Sequence, residues 1–475
     1  MAKFLVAVLL FSIAAAAYAA GKGQPADPIA PVILGVTGIL FFAVLGRFGA
    51  RTLGQPSVLG ELLMGVILGN LGYLFAVDFL LVLREGPAIF DMVDLTLSGA
   101  PLEQAADEAL GHKNALIILS ILQGSGGAEL TQVAHAVDVF SRYGVIFLLF
   151  LVGLETSIKE MREVGVESLR VAVLGVVLPF AFGFMAARLL MPELSVNVDL
   201  FVAATLGATS IGITARVLKD LGKARSHEAH IILGAAVIDD VLGLIMLAIV
   251  SGIIISGGFE PFNAIKTVTL ASVFLLTAFI AGPRFLRVTI NVVDRLDIVE
   301  AKMFISFLFV MALAWFANLV GLATIIGAFA AGVILHDGYF HQWGDVKEHQ
   351  FTIRDLISPL EVILVPIFFV LMGIQVKLET FFNWHVIFMG CGLIIAAMIG
   401  KLLSGLGAAR GTSRWAVGMG MVPRGEVGLI FASIGKSLHV LSDALFSALV
   451  LMIIVTTLVT PPLLKITLKK VPRQN

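Results

Sequence analysis

Residues 231–252 read IILGAAVIDDVLGLIMLAIVSG. Apart from Asp239 and Asp240, every position in this stretch is apolar or small. A run of this length crosses the hydrocarbon core of a bilayer as a helix. An ionisable residue inside such a span is costly and marks function by default. Adjacent residues on a helix point about 100° apart, so the two carboxylates face different neighbours. Carboxyl groups held out of water keep protons more readily, and a like charge alongside adds to this. The pair is therefore suited to trading protons for a cation. The alternative is that one or both aspartates only brace neighbouring helices.

The rest of the chain agrees with a membrane reading. Of 475 residues, 59% are hydrophobic and only 14% are charged, and the mean hydropathy is +1.01. Soluble proteins carry about a quarter charged residues. That deficit excludes an ordinary soluble fold, a disordered chain and a nucleic-acid binder. With 32 Lys+Arg against 33 Asp+Glu, no bulk basic field exists to hold a polyanion. The single cysteine, Cys391, excludes a disulfide framework and a cysteine-built metal site. No HExxH, P-loop or GxSxG pattern is present, so neither a hydrolase nor an ATP-driven pump is expected, and no cofactor beyond transported ions.

Thirteen apolar stretches lie near 29–46, 56–73, 142–155, 171–190, 199–216, 229–256, 264–283, 302–319, 321–336, 358–376, 384–407, 415–435 and 441–464. A membrane β-barrel would show alternation, so these predict helices. Residues 1–19, MAKFLVAVLLFSIAAAAYA, have the Lys3 n-region, apolar core and Ala17-Tyr18-Ala19 site of a cleaved signal peptide. Its removal puts the mature N-terminus outside. Segments then predicted inside hold most of the Lys and Arg, among them Arg47, Arg51, Lys223, Arg284, Arg287, Arg410 and Arg414. That asymmetry follows the positive-inside rule and places the C-terminus in the cytoplasm of an inner-membrane protein. Residues 74–141 form a long outer, periplasmic insertion, expected to fold as short helices at the membrane surface. Few residues follow Leu464, so no nucleotide-binding regulatory domain is expected in this chain.

Two spans are interrupted. The fifth holds LGATSIGITARVL (206–218), where Gly207, Thr209, Ser210, Gly212 and Thr214 break an apolar helix. The twelfth holds GMGMVPRGEVGLI (418–430), where Gly418, Gly420, Pro423 and Gly425 do so beside Arg424 and Glu426. Proline removes a helical donor, and glycine tolerates unwound backbone. Interrupted helices at corresponding positions of two halves point to a transporter ion site. Each is the penultimate helix of a six-helix block, spans 1–6 and 8–13. Span 7 (257–290) connects the blocks, which makes the repeat inverted. Opposed half-helix dipoles at such a crossing need neutralising charge, for which Arg424, Glu426 and Lys401 are candidates. Lys401, in the eleventh span, either snorkels to the interface or pairs with an aspartate as a buried ammonium. Glu61 reads as a complement to a helix dipole, and the loop histidines His227, His230, His336, His341 and His349 as solvated.

The segments GQPSVLGELLMGVILGN (54–70), FLLFLVGLET (147–156), ATSIGITARVL (208–218), GAAVIDDVLGLI (234–245), MIGKLL (398–403) and MVPRGEVGLI (421–430) resemble, in order, the signature segments of the monovalent cation:proton antiporter superfamily, NapA-like sodium/proton branch. The resemblance implies an all-α fold of about thirteen transmembrane helices with an inverted six-helix repeat and two broken crossing helices. It implies a homodimer built from a dimerisation domain and a mobile core. It implies cation binding at Asp240, a proton-sensitive salt bridge between Asp239 and Lys401, Thr209 and Ser210 at the crossing, and Glu426 near the lysine. It also implies electrogenic exchange of two protons per sodium. The insertion at 74–141 departs from the pattern. The expected function is exchange of Na⁺ or Li⁺ for H⁺ by alternating access. K⁺/H⁺ exchange on the same site, a sodium-coupled symporter and a sensor are the alternatives.

Overall fold

The computed structural model describes residues 27, 29–155, 165–210, 214, 218, 223, 226–255, 261–292, 298–343, 351–424 and 426–469. The expected signal peptide at 1–19, Gly212 and Gly425 lie outside them. Every regular element among the described residues is helical. Among the described residues ten helices are long and apolar enough to cross a membrane, and Val196–Gly207, Thr324–Ile334 and Val427–Ser437 are shorter apolar helices. This is a multi-pass membrane protein. In lipid the backbone N–H and C=O groups must be satisfied inside the protein, and a helix does that within its own segment.

In chain order the helices are α1 (Ala30–Thr52), α2 (Ser57–Leu74), α3 (Asp78–Glu85), α4 (Pro87–Leu97), α5 (Leu102–Leu110), α6 (His112–Leu122), α7 (Gly127–Glu155), α8 (Val166–Leu190), α9 (Val196–Gly207), α10 (His227–Ile255), α11 (Pro261–Val292), α12 (Ile298–Leu319), α13 (Thr324–Ile334), α14 (Ile353–Ile374), α15 (Trp384–Ser404), α16 (Arg414–Gly420), α17 (Glu426–Ser437) and α18 (Asp443–Lys469). The chain forms two compact units, Met1–Arg142 with Pro366–Gln375, and Tyr143–Val365 with Val376–Asn475.

In the first unit α1 packs on α2. Gly46 and Gly60 let the backbones touch: a Cβ on Gly60 would lie 2.6 Å from that of Ala50. Gly65 and Gly69, one turn apart on α2, admit the backbone of Val370 and Ile374 in the same way. Small residues at this spacing supply contact where lipid provides no hydrophobic drive. Glu61 is not a mere dipole complement. It is 1% exposed and its Oε1 accepts from Arg47 Nε at 2.7 Å. The 74–141 segment folds as the four short helices α3–α6, with Val82, Ile89, Ala105 and Ala115 buried. Gly86 and Gly111, at φ +45° and +74°, form two of its corners. Residues 127–141 belong instead to α7, which begins well before the third apolar stretch. Glu129, His135, Asp138 and Arg142 lower the hydropathy of those turns without stopping the helix.

In the second unit, the later part of α7, α11, α12, α13 and the start of α14 enclose an aliphatic and aromatic core around Phe147, Phe150, Phe309 and Phe340. The remaining helices form two triplets of like design. Each runs long, broken, long: α8, α9, α10 and α15, α16–α17, α18. Helices α8 and α15 pack along one another. Gly400 makes this possible, because a Cβ there would lie 2.6 Å from Pro179 Cα. Val171, Ala172, Ile232, Ala235, Val417 and Met421 join α8, α10 and α16 in one buried cluster.

Candidate functional site

The two breaks meet. Helix α9 ends at Gly207, and Ala208 turns to extended backbone at φ −62°, ψ 144°. Helix α16 ends at Gly420, and α17 begins at Glu426. Pro423, between them, has no N–H to continue a helical ladder. The groups freed by the breaks find each other across the crossing. Ser210 N–H donates to the Pro423 carbonyl at 2.8 Å. Thr209 Oγ1 donates to Met421 O at 3.4 Å, and Thr214 Oγ1 to Gly420 O at 2.6 Å. Thr209, Ser210 and Thr214 are all buried.

Arg424 sits at this crossing, wholly buried. Its Nη1 donates to the carbonyl of Ala208, at the C-terminal end of α9. A cation there offsets the negative end of the half-helix dipole. Its backbone carbonyl accepts from Thr457 Oγ1 of α18. Nε and Nη2 of the guanidinium have no hydrogen-bond partner among the described residues.

The aspartate pair lies on α10. Asp239 is wholly buried, and Lys401 Nζ of α15 donates to its Oδ1 at 2.8 Å and Oδ2 at 3.0 Å. Lys401 does not snorkel, although it lies in the last turn of its helix: its side chain is 0% exposed. Space for the pair comes from Gly175 on α8. A Cβ there would lie 3.1 Å from Asp239 Oδ1 and 3.5 Å from Lys401 Nζ. Asp240 is 7% exposed and lies, with Asp239 and Arg424, within electrostatic reach of Lys401. Two carboxylates and two cations thus share one buried neighbourhood, and their formal charges cancel.

Of the charges expected to neutralise the crossing, Arg424 touches it and Lys401 turns to Asp239. The side chain of Glu426 lies outside the described residues. Gly207 supplies the end of α9. Sequence reasoning missed Gly175, Thr457 and the Arg188–Asp199 pair at 3.1 Å, in which Asp199 is 0% exposed. Asp199 sits in the first turn of α9, and the apolar pattern around it was the available signal. Among the histidines, His227 Nε2 lies 3.8 Å from Glu167 Oε2, and the His336 ring stacks on Tyr339. The described residues contain no group of three or more His, Cys, Asp or Glu able to hold a metal. An oxygen set of carboxylate, hydroxyl and carbonyl groups suits a hard cation such as an alkali ion.

The chain matches the family model described as sodium/hydrogen exchanger, transmembrane, over residues 110–470. It is 32% identical over 446 residues to the high-affinity Na⁺/H⁺ antiporter NhaS3 of Synechocystis, covering 92% of this chain and 90% of that protein. It is 31% identical to the Na⁺/H⁺-K⁺ antiporter GerN of Bacillus cereus, covering 80% of this chain and 96% of the relative. Among solved structures, the sodium proton antiporter MjNhaP1 from Methanocaldococcus jannaschii at pH 8 is similar with a TM-score of 0.57. That match covers 92% of this chain and 96% of the other at 16% identity, a likeness of fold.

Proposed function

The chain belongs to the transmembrane sodium/hydrogen exchanger family, and on that premise we propose that it is a secondary transporter exchanging Na⁺ or Li⁺ for H⁺ by alternating access. The observation that carries this reading is the buried Asp239–Lys401 pair with Asp240 beside it on the same helix. In the proposed cycle Asp240 binds the cation, with oxygen atoms from the crossing at Thr209 and Ser210 completing its shell. Protonation of Asp239 releases Lys401, and protonation of Asp240 displaces the cation. Arg424 stays on the Ala208 carbonyl and keeps the crossing neutral in both states.

Coupling follows from the cost of buried charge. A core that moved with Asp240 ionised and no cation bound would carry a desolvated carboxylate through a low-dielectric path, at a cost of about 3 kcal/mol or more. A proton or a cation on Asp240 removes that cost, so the two fluxes exclude each other. Two acids take part, which supports electrogenic exchange of two protons per sodium. The family resemblance supports a homodimer, and the Lys/Arg asymmetry supports an inner-membrane protein with its mature N-terminus outside and its C-terminus in the cytoplasm.

The test is cation-induced proton movement in proteoliposomes with Na⁺, Li⁺ and K⁺ offered in turn. Responses to Na⁺ and Li⁺ are expected. A response to K⁺ alone would keep the site and replace the substrate. Silence with all three, in tight vesicles, would refute the exchange reading.

A further inference from the structure

Arg170, Arg410 and Arg414 line one open cleft of about 750 Å³. Arg170 lies on the first turns of α8, and the other two flank the turn between α15 and α16. The rest of the wall is apolar or small, with Leu169, Val173 and Leu406 its exposed aliphatic members. Arg170 and Arg410 have no hydrogen bond or ion pair with any described residue. Arg414 uses Nε alone, donating to Ala408 O at 3.1 Å. The neighbouring carboxylate, Glu167, is already engaged: its Oε2 accepts from Ala409 N–H at 3.2 Å. Trp415, next to Arg414, is 70% exposed. Exposed tryptophan marks headgroup depth at a membrane surface.

We propose that this cleft binds an anionic phospholipid, with the phosphate on the three guanidinium groups and the acyl chains along Leu169, Val173 and Leu406. Guanidinium presents paired N–H donors to phosphate. Free phosphate would leave the exposed aliphatic wall uncovered, and a neutral lipid would leave the arginines uncompensated. The Lys/Arg asymmetry puts the cleft on the inner leaflet, where anionic lipid attracts basic groups. The cleft also bears on the buried pair. Its two sides are tied by Gly407, where a Cβ would lie 2.7 Å from Val171 N. Helix α8 carries Gly175, and α15 carries Lys401. A bound headgroup therefore clamps the helix that carries Lys401 to the helix whose Gly175 makes room for the Asp239–Lys401 pair. This last effect rests on the proposed exchange function, whereas lipid binding does not.

The experiment uses the full chain in detergent, stripped of lipid, and reads lipid retention by native mass spectrometry. The probes are phosphatidylglycerol and phosphatidylcholine with identical acyl chains, and glycerol phosphate as a chainless headgroup. The wild type is expected to retain phosphatidylglycerol preferentially. The Arg170→Gln/Arg410→Gln/Arg414→Gln variant should lose that preference on the order of tenfold or more. Arg284→Gln, which removes an exposed arginine from α11, should keep it. If the triple variant does not fold, Arg410→Gln alone, an exposed turn residue, should lose part of the preference. Equal retention of the two lipids by the wild type, or an unchanged preference in the variants, overturns the proposal. Competition by glycerol phosphate as strong as by the lipid would make the cleft a small-anion site and also overturns it. Retention is read without transport, so failure here leaves the exchange reading standing.

Discussion

The Lys401 ammonium lies 2.8 and 3.0 Å from the two carboxylate oxygens of Asp239, and neither side chain reaches solvent. The partners are 162 positions apart in the chain. They come from the last helix of one triplet and the first helix of the other, so the ion pair spans the two halves of the fold. Desolvating two charges costs energy that their attraction only partly returns. The pair is therefore costly to bury, and removing the charge of one partner removes the attraction that offsets the burial of the other.

Breaking one side of this pair should cost more than removing both. Lys401→Ala leaves a buried carboxylate and is expected to destabilise the protein by about 3–5 kcal/mol. Asp239→Asn combined with Lys401→Ala should recover most of that loss, giving a coupling energy of about 1–3 kcal/mol in a double-mutant cycle. Thermal unfolding in detergent reads both. Additive effects would show that the pair does not interact.

Gly175 gives the pair its space. Gly175→Ala places a methyl group 3.1 Å from Asp239 Oδ1, so the carboxylate must shift by a few tenths of an ångström. Exchange turnover is expected to fall about tenfold while the fold persists, because small displacements of reacting groups are costly. Gly175→Val should be worse. Unchanged turnover in both variants would mean that the pair's position does not matter.

Arg424 joins the end of α9 to α18 through its side chain and its carbonyl. Arg424→Leu removes the donor to Ala208 and is expected to destabilise by about 2–3 kcal/mol. Thr457→Val, which removes one neutral hydrogen bond, should cost about 1 kcal/mol. Equal effects of the two substitutions would argue against a charge role for the arginine.

Much of this was legible in the chain. The apolar stretches, the two glycine- and proline-interrupted helices and the adjacent aspartates are local patterns, and each returned as a helix, a break or a buried acid. What was not legible depends on three-dimensional proximity. Nothing near Lys401 distinguishes a snorkelling lysine from a buried one; the decision is made by Asp239, far away in sequence. Gly175 lies in a helix with other small residues, and only the helices packed against it show that it makes room for a salt bridge. Helix α7 was begun too late because hydropathy penalises Glu129, Asp138 and Arg142, whereas helix formation does not. The buried Glu61 was misread because its partner, Arg47, lies on another helix.

The most direct test of the central claim is Na⁺-induced proton movement in proteoliposomes carrying wild-type protein or Asp240→Asn. The side chain of Asp240 is nearly isosteric with asparagine, so the variant should fold and reconstitute normally. The account predicts a clear Na⁺ response in the wild type and none in Asp240→Asn. A variant that exchanges Na⁺ for protons at the wild-type rate would contradict the assignment of the ion site to Asp240.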